Sequence, residues 1–290
     1  MLEVNNLSKS LGNRKILKGI NIKIGNGVHG LLGSNGAGKT TLMRCLCRLY
    51  RIDEGSISLN KINIESLKNS YFNQLGYLPQ NFGYYPDFTA YEFLSYLAVV
   101  KGVPKDVAQV RIELLLKELG LFEKRNDKLK SYSGGMLRRI GIAQSLLNEP
   151  SVLILDEPTA GLDPKERIHI KNLLNNYGEK HIVLVSTHIV SDIEDIARSI
   201  IILKGGKICA SGTLDSLLEI IKGHVYEGWV NKKDLNKVLT KYKVRNVYEE
   251  GEKVRVRILC EDIVEDAFKA IEPTLNDLYL YYFDEVSKDE

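Results

Sequence analysis

In Gly33-Ser34-Asn35-Gly36-Ala37-Gly38-Lys39-Thr40-Thr41, a lysine and a hydroxyl directly follow a glycine-rich stretch. Glycines let the backbone turn several N–H groups toward one anion, Lys39 can reach the outer oxygens of a di- or triphosphate, and Thr40 is a hard ligand for Mg²⁺. The spacing is that of a phosphate-binding loop. Further on, Val152-Leu153-Ile154-Leu155 runs into two adjacent carboxylates, Asp156 and Glu157, ahead of Pro158. Successive side chains at a strand end point in different directions, so the pair can divide the work. Asp156 can hold the water shell of a metal while Glu157 polarises the water that attacks the terminal phosphate. A third group, Ser131-Tyr132-Ser133-Gly134-Gly135-Met136-Leu137-Arg138-Arg139, places a hydroxyl and two small residues ahead of an amphipathic helix. A helix N-terminus attracts anions, and Ser133, Gly134 and Gly135 would form a second phosphate contact without a lysine. By itself that pattern also suits a plain helix cap.

These groups need elements to hold them. Val28–Leu32 is an apolar run that ends at Gly33, and Leu42, Cys45, Leu46 and Leu49 recur at helical spacing beyond the loop, which predicts strand, loop and helix in that order. Three further apolar runs, 151–155, 181–186 and 200–203, read as buried strands, with amphipathic helical segments near 164–176 and 189–197 between them. That alternation predicts a mostly parallel sheet covered on both faces. By contrast, 2–7, 21–24 and 56–59 alternate apolar and polar residues, as an antiparallel flank would. From about 84 to 150 the pattern is helical. Thr89 and Glu92 form a capping box for a helix through Lys101, Pro104 opens another that stops at Gly120, and a third begins near Gly134. After Gly223 the expected elements are strand 225–230, helix 232–241, strands 243–248 and 253–259, and helices 262–270 and 274–283. The fold class is therefore α/β with a small C-terminal α+β domain: residues 1–222 as the main domain, with a helical subdomain at about 84–150, and 223–290 as an accessory domain.

Taken together with Gln80 after Leu75–Pro79, Ala160-Gly161-Leu162-Asp163 and Ser186-Thr187-His188, the order of motifs resembles the nucleotide-binding subunit of ATP-binding-cassette (ABC) transporters, over residues 1 to about 222. The resemblance implies a P-loop NTPase core that binds ATP and Mg²⁺. In that family Gly33–Thr41 (Gly33, Ser34, Asn35, Gly36, Ala37, Gly38, Lys39, Thr40 and Thr41) would be the Walker A loop and Ser133–Met136 the signature. Asp156 and Glu157 would be the Walker B pair, Asp163 the D-loop aspartate and His188 the switch histidine. Gln80 would serve both catalysis and the metal, beside Thr40 and Asp156. Two positions depart from the pattern. Tyr132 and Met136 replace the usual leucine and glutamine around the intact Ser-Gly-Gly, and Leu11 stands where an aromatic residue usually stacks on adenine. Leucine offers only apolar contact there, so loose base selectivity is expected.

In that family a chain with one Walker A set works with a second ATPase subunit, identical or different, that closes each ATP head to tail. The resemblance also implies a separate polytopic membrane subunit, expected to dock near 81–100, where Tyr84, Tyr85 and Phe88 follow Gln80. The tail Glu272-Pro273-Thr274-Leu275-Asn276-Asp277-Leu278-Tyr279 is similar to the C-terminal region of bacterial and archaeal drug, antibiotic and peptide exporter ATPases, although an acidic residue is more common at the Asn276 position. Importer ATPases are one alternative; another is a soluble ABC ATPase acting on nucleic acid or ribosomes. The latter usually carries two cassettes or long heptad segments, which are absent here. A kinase or GTPase would leave Ser133–Met136 without a purpose.

Composition agrees with that reading. The 290 residues are 44% hydrophobic and 27% charged, enough for a sizeable core. Net charge is about +7 on 1–222 and −4 on 223–290, without the basic run that nucleic acid would call for. No apolar stretch approaches the roughly 18 to 20 residues of a membrane span. With no basic and apolar leader at Met1–Asn6, the expected location is the cytoplasm, on the inner face of the membrane through the partner. Cys45, Cys47, Cys209 and Cys260 make no CxxC pair and read as reduced thiols.

Overall fold

Alternating burial at the start of the chain produces an antiparallel layer. β1 (Leu2–Leu11) pairs with β2 (Arg14–Ile24), setting Leu2 against Ile24 and Val4 against Ile22. β3 (Gly27–Leu32), buried beyond Gly27, leads through the glycine loop into α1 (Lys39–Leu46). β4 (Glu54–Leu59) returns to β1, and β5 (Ile62–Asn63) completes the order β2-β1-β4-β5. Two short helices, α2 (Ile64–Leu67) and α3 (Asn69–Asn73), then precede β6 (Leu75–Leu78). The computed structural model describes residues 1–260 and 267–283.

α1 fills the space between two sheets. Its Leu42, Met43, Cys45 and Leu46 pack with Leu2, Val4, Ile22 and Ile57 of the antiparallel layer and with Leu31, Ile154, Leu184 and Ile201 on the other side. Cys45 and Cys47 are accordingly core residues, and burial pushes the Cys45 thiol up to about 11. Leu49, expected on the same stripe, is 59% exposed. The helix has already ended by then, because Arg48 takes a left-handed φ of 57°.

The helical segment consists of α4 (Ala90–Val100), α5 (Lys105–Glu118) and α6 (Gly134–Leu146), which contact one another. Thr89 and Glu92 form the expected capping box on α4, with the Glu92 N–H donating to Thr89 Oγ1 at 3.1 Å and the Thr89 N–H to Glu92 Oε2 at 2.8 Å. β7 (Val152–Asp156), α7 (Pro164–Gly178), β8 (Ile182–Thr187), β9 (Ala197–Lys204) and β10 (Lys207–Gly212) follow. They build a six-stranded sheet in the order β10-β9-β3-β8-β7-β6, parallel across β9-β3-β8-β7-β6. Register then does the assembling. Leu32 lies beside Thr187, Ser186 beside Asp156, and Leu155 beside Leu78, so four segments distant in sequence leave the sheet at one edge. The carboxyl ends of parallel strands are where open α/β sheets bind ligands.

The helix expected at 189–197 is corrected. Residues 189–197 are not a helix but a single 3-10 turn, Val190–Asp192, followed by turns into β9. The buried Asp192 carboxylate accepts from Thr159 Oγ1 at 2.6 Å, and Ile193 fills the space left by Gly30, whose Cβ would lie 2.5 Å from Ile193 Cδ1. Packing of one side chain against β3 has overridden the helical pattern.

The compact units divide between Cys209 and Ala210, whereas the sequence pattern changes after 222. Residues of the intervening segment form α8 (Leu214–Leu218), which packs against the last helix of the second unit. That unit contains β11 (Val225–Asn231), α9 (Leu235–Lys241), β12 (Lys243–Glu250), β13 (Lys253–Leu259), β14 (Phe268–Ala270) and α10 (Leu275–Phe283). Its antiparallel sheet has the order β12-β13-β11-β14 over a core of Val238, Tyr242, Val254, Val256, Ile258 and Phe268. The helix expected at 262–270 is contradicted at its end, where 268–270 pairs with β11 as a strand; the rest of it, to 266, lies outside the described residues. No described helix is long and apolar enough to cross a membrane.

Candidate active site

The glycine loop is shaped by two separate constraints. At Gly33 a Cβ would come 2.5 Å from the Leu203 carbonyl oxygen, and Gly38, which caps α1, sits at φ 108°. No other residue type meets both the close approach and the left-handed turn without strain. Lys39 is 7% exposed and donates to the carbonyls of Gly33 at 2.6 Å and Ser34 at 3.1 Å. Burial lowers its pKa, an effect that Glu157 and Asp156 oppose. The Thr40 hydroxyl donates to Asp156 Oδ2 at 2.8 Å. Ser34, Asn35, Gly36, Gly38, Lys39, Thr40, Thr41, Gln80, Asp156 and Glu157 line one cleft of about 460 Å³, within the size range of small-molecule sites.

Asp156 is 2% exposed and accepts a second hydrogen bond from Ser186 Oγ. Glu157 has φ 53°, a conformation that costs a non-glycine residue about 1–3 kcal/mol and persists where surrounding bonds impose it. Here its N–H donates to the Ser186 carbonyl at 3.0 Å. The turn swings its carboxylate toward His188, whose Nδ1 lies 2.7 Å from Oε1. An ionised carboxylate only accepts, so Nδ1 is the donor in that pair. Thr40, Asp156 and Gln80 together present oxygen donors, suited to a hard cation that keeps most of its waters. Among the described residues no cluster of three or more His, Cys, Asp or Glu offers a softer metal cage.

The remaining expected residues lie apart from this cleft. Ser133 caps α6, accepting from the Met136 N–H at 3.2 Å, and Asp163 caps α7, accepting from the Glu166 N–H at 2.8 Å. Neither they nor Gly134 and Gly135 line it. Tyr132, 7% exposed, donates its hydroxyl to the Lys124 carbonyl at 2.7 Å, so its departure from the usual leucine is absorbed by packing. Leu11 closes the β1–β2 hairpin opposite Arg14 and is 40% exposed; Arg14 and Ile16 line the cleft in its stead.

Sequence patterns gave Arg138 no role beyond its place in the Ser131–Arg139 stretch. It is 6% exposed, on α6, and donates to four carbonyls: Pro79 at 3.0 Å, Gln80 at 2.8 Å, Glu157 at 2.6 Å, and Asp156. Burial lowers its pKa, again opposed by Asp156 and Glu157. No spacing rule could mark it, because its partners are backbone carbonyls, which every residue carries. Ser186 was singled out only as part of a motif, and its bond to Asp156 follows from strand pairing.

Comparison with known proteins accords with this geometry. Residues 17–160 match the sequence profile of the ABC transporter family. The uncharacterised ABC transporter ATP-binding protein YxlF of Bacillus subtilis is 32% identical over 97% of this chain and 98% of its own. The linearmycin resistance ATP-binding protein LnrL of the same organism is 34% identical over 77% of this chain and 72% of its own. Among solved structures, the dimeric form of a bacterial ABC transporter cassette superposes with a TM-score of 0.68 at 26% identity, covering 74% of this chain and 99% of that one. With its phosphate loop, paired carboxylates and histidine gathered at one sheet edge, the chain belongs to the ATP-binding proteins of ABC transporters and is an ATPase subunit with a P-loop NTPase fold.

Proposed function

We propose that this subunit is one half of an ATP-driven clamp that powers export by a separate membrane protein, and that each residue gathered in the cleft has one task. The observation that carries the reading is the contact at 2.7 Å between His188 and Glu157, a residue that lines the same cleft as Lys39 and Thr40. The loop amides and Lys39 bind the phosphates of ATP, and Lys39 exchanges its two loop carbonyls for phosphate oxygens as it does so. Thr40, Asp156 and Gln80 would hold Mg²⁺, which would neutralise charge on the phosphates. Glu157 takes the proton of the attacking water, and His188 keeps that carboxylate oriented. Ser133, Gly134, Gly135 and Asp163 serve the cleft of a second subunit, identical or different, which is why they stand apart from their own. Arg14 and Ile16, which line the cleft in place of Leu11, meet the base.

An aromatic groove of about 540 Å³, lined by Phe82, Tyr84, Tyr85, Phe93 and Tyr96, follows directly on Gln80. Tyr85 and Tyr96 are 49% and 44% exposed, more than a closed core would leave. We assign the membrane subunit to this groove; the chain then sits on the inner face of the membrane, with nucleic acid playing no part. Similarity to an antibiotic-resistance ATP-binding protein along most of the chain supports export of a drug, antibiotic or peptide. The ATPase domain would occupy about the first 222 residues and the accessory domain the rest.

Glu157→Gln tests the central claim. It should bind ATP normally, lose at least about 100-fold in kcat, as removal of a general base does, and elute as an ATP-dependent dimer on size exclusion. Hydrolysis at the native rate would remove Glu157 from its role.

A further inference from the structure

We propose that Arg138 is a positioning residue that locks the Pro79-Gln80 segment to the backbone of the Glu157 turn, so that the hydrolytic carboxylate feels any displacement of that segment. One guanidinium nitrogen, Nη1, serves the carbonyls of Pro79 and Gln80, while Nη2 serves those of Asp156 and Glu157. The fork is planar and rigid, so the two segments cannot shift independently without breaking charge-assisted hydrogen bonds in a buried place. Both peptide groups flanking the Glu157 Cα are thereby held, the preceding N–H by Ser186 and the following carbonyl by Arg138, and these bonds maintain its left-handed turn.

Close packing reinforces the link. Gly141, on the same helix one turn further along, leaves no room for a side chain: a Cβ there would lie 2.7 Å from Leu78 Cδ1 and 2.9 Å from Phe82 Cε1. The helix that starts with Ser133 and Gly134 is thus in contact with the segment that carries Gln80 and opens the aromatic groove. Phe82 of the groove packs on the helix that carries Arg138, and that side chain joins the Gln80 segment to the Glu157 turn. The inference rests on Glu157 being the hydrolytic carboxylate.

The test uses the full chain with Arg138→Lys and Arg138→Gln. Lysine keeps the charge but not the fork. Both variants should lose about 10- to 100-fold in kcat, the scale of an ångström-level misplacement, while the dissociation constant for a fluorescent ATP analogue stays within about threefold of native. A merely structural role would not produce that split. In addition, Gln80→Ala combined with Arg138→Lys should lower kcat by clearly less than the product of the single effects, because Arg138 and Gln80 act as one unit. Native kcat in Arg138→Lys, equal losses in binding and turnover, or single effects that simply multiply would each overturn the proposal. If Arg138→Gln does not fold, Arg138→Lys decides. Failure of the underlying reading shows separately, as normal turnover in Glu157→Gln.

Discussion

Both units bury charge, but they satisfy it differently. In the first, Lys39 and Arg138 are paired with backbone carbonyls, and the Glu157 carboxylate meets a histidine that is 48% exposed. In the second, Asp277 is fully buried and takes hydrogen bonds from Arg257 at 2.6 Å, Arg245 at 3.1 Å and both the N–H and hydroxyl of Thr274 at 2.7 Å. Its oxygens are saturated by the chain itself. On the proposed function, Lys39 and Glu157 keep partners that a phosphate or a water can replace, whereas the Asp277 cluster has nothing left to offer a ligand. The contrast separates charge held ready for chemistry from charge that ties β12 and β13 to α10.

The sharpest way to break this comparison is Lys39→Ala. Nucleotide affinity should fall by at least about 100-fold, since a buried charged contact to phosphate is worth several kcal/mol. Thermal stability should hold or rise, because the lysine is buried at a cost. A large drop in melting temperature would make Lys39 a structural residue like Asp277. The reciprocal change, Asp277→Asn, should cost the second unit about 3 kcal/mol by leaving two partly buried arginines short of their partner. Chemical denaturation would read that loss, with ATP binding unchanged. Although burial raises the Asp277 carboxyl, Arg257, Thr274 and Arg245 bring it below its ordinary value of 3.8. Its contribution is therefore complete above that value and fades as pH falls through the lower, folded one. Asp277→Asn should lack this acid-sensitive component.

A smaller effect tests whether closed networks also exist inside the first unit. His29, 4% exposed on β3, lies 2.7 Å from Ser199 Oγ and 2.9 Å from the Gly25 carbonyl. Burial lowers its pKa; the Gly25 bond opposes this and Arg198 adds to it. The unfolded chain then binds the extra proton first, so stability should decline as pH drops below about 6.5 and be level above. Denaturation midpoints of the native chain and His29→Gln should diverge only on that acid side.

Much of the site was legible because its residues act through local geometry. Gly33 and Gly38 announce a loop that only they can form, Thr89 and Glu92 announce a helix start, and the apolar run before Asp156 announces a buried strand. Where expectations failed, a tertiary contact intervened. Ile193 packing at Gly30 replaced a helix with a single turn, Arg48, whose guanidinium donates to the Ile64 and Lys68 carbonyls, ended α1 before Leu49, and Phe268 entered the sheet beside Gly228. The place beside the cleft that the pattern assigned to Leu11 went to Arg14 and Ile16, because the hairpin register carries Leu11 to the turn.

The sequence by itself therefore determined the loops, caps and strands and the chemical types of the groups they carry, since these depend on spacing within a few residues. Only the tertiary structure decided that β6, β7, β8 and β3 lie side by side, and hence that Gln80, Glu157, His188 and Lys39 share one edge. Strand order and register are settled by pairing between segments far apart in the chain. The Arg138 lock belongs to the same class, because carbonyl oxygens carry no residue identity and become partners only once the fold has brought them within reach.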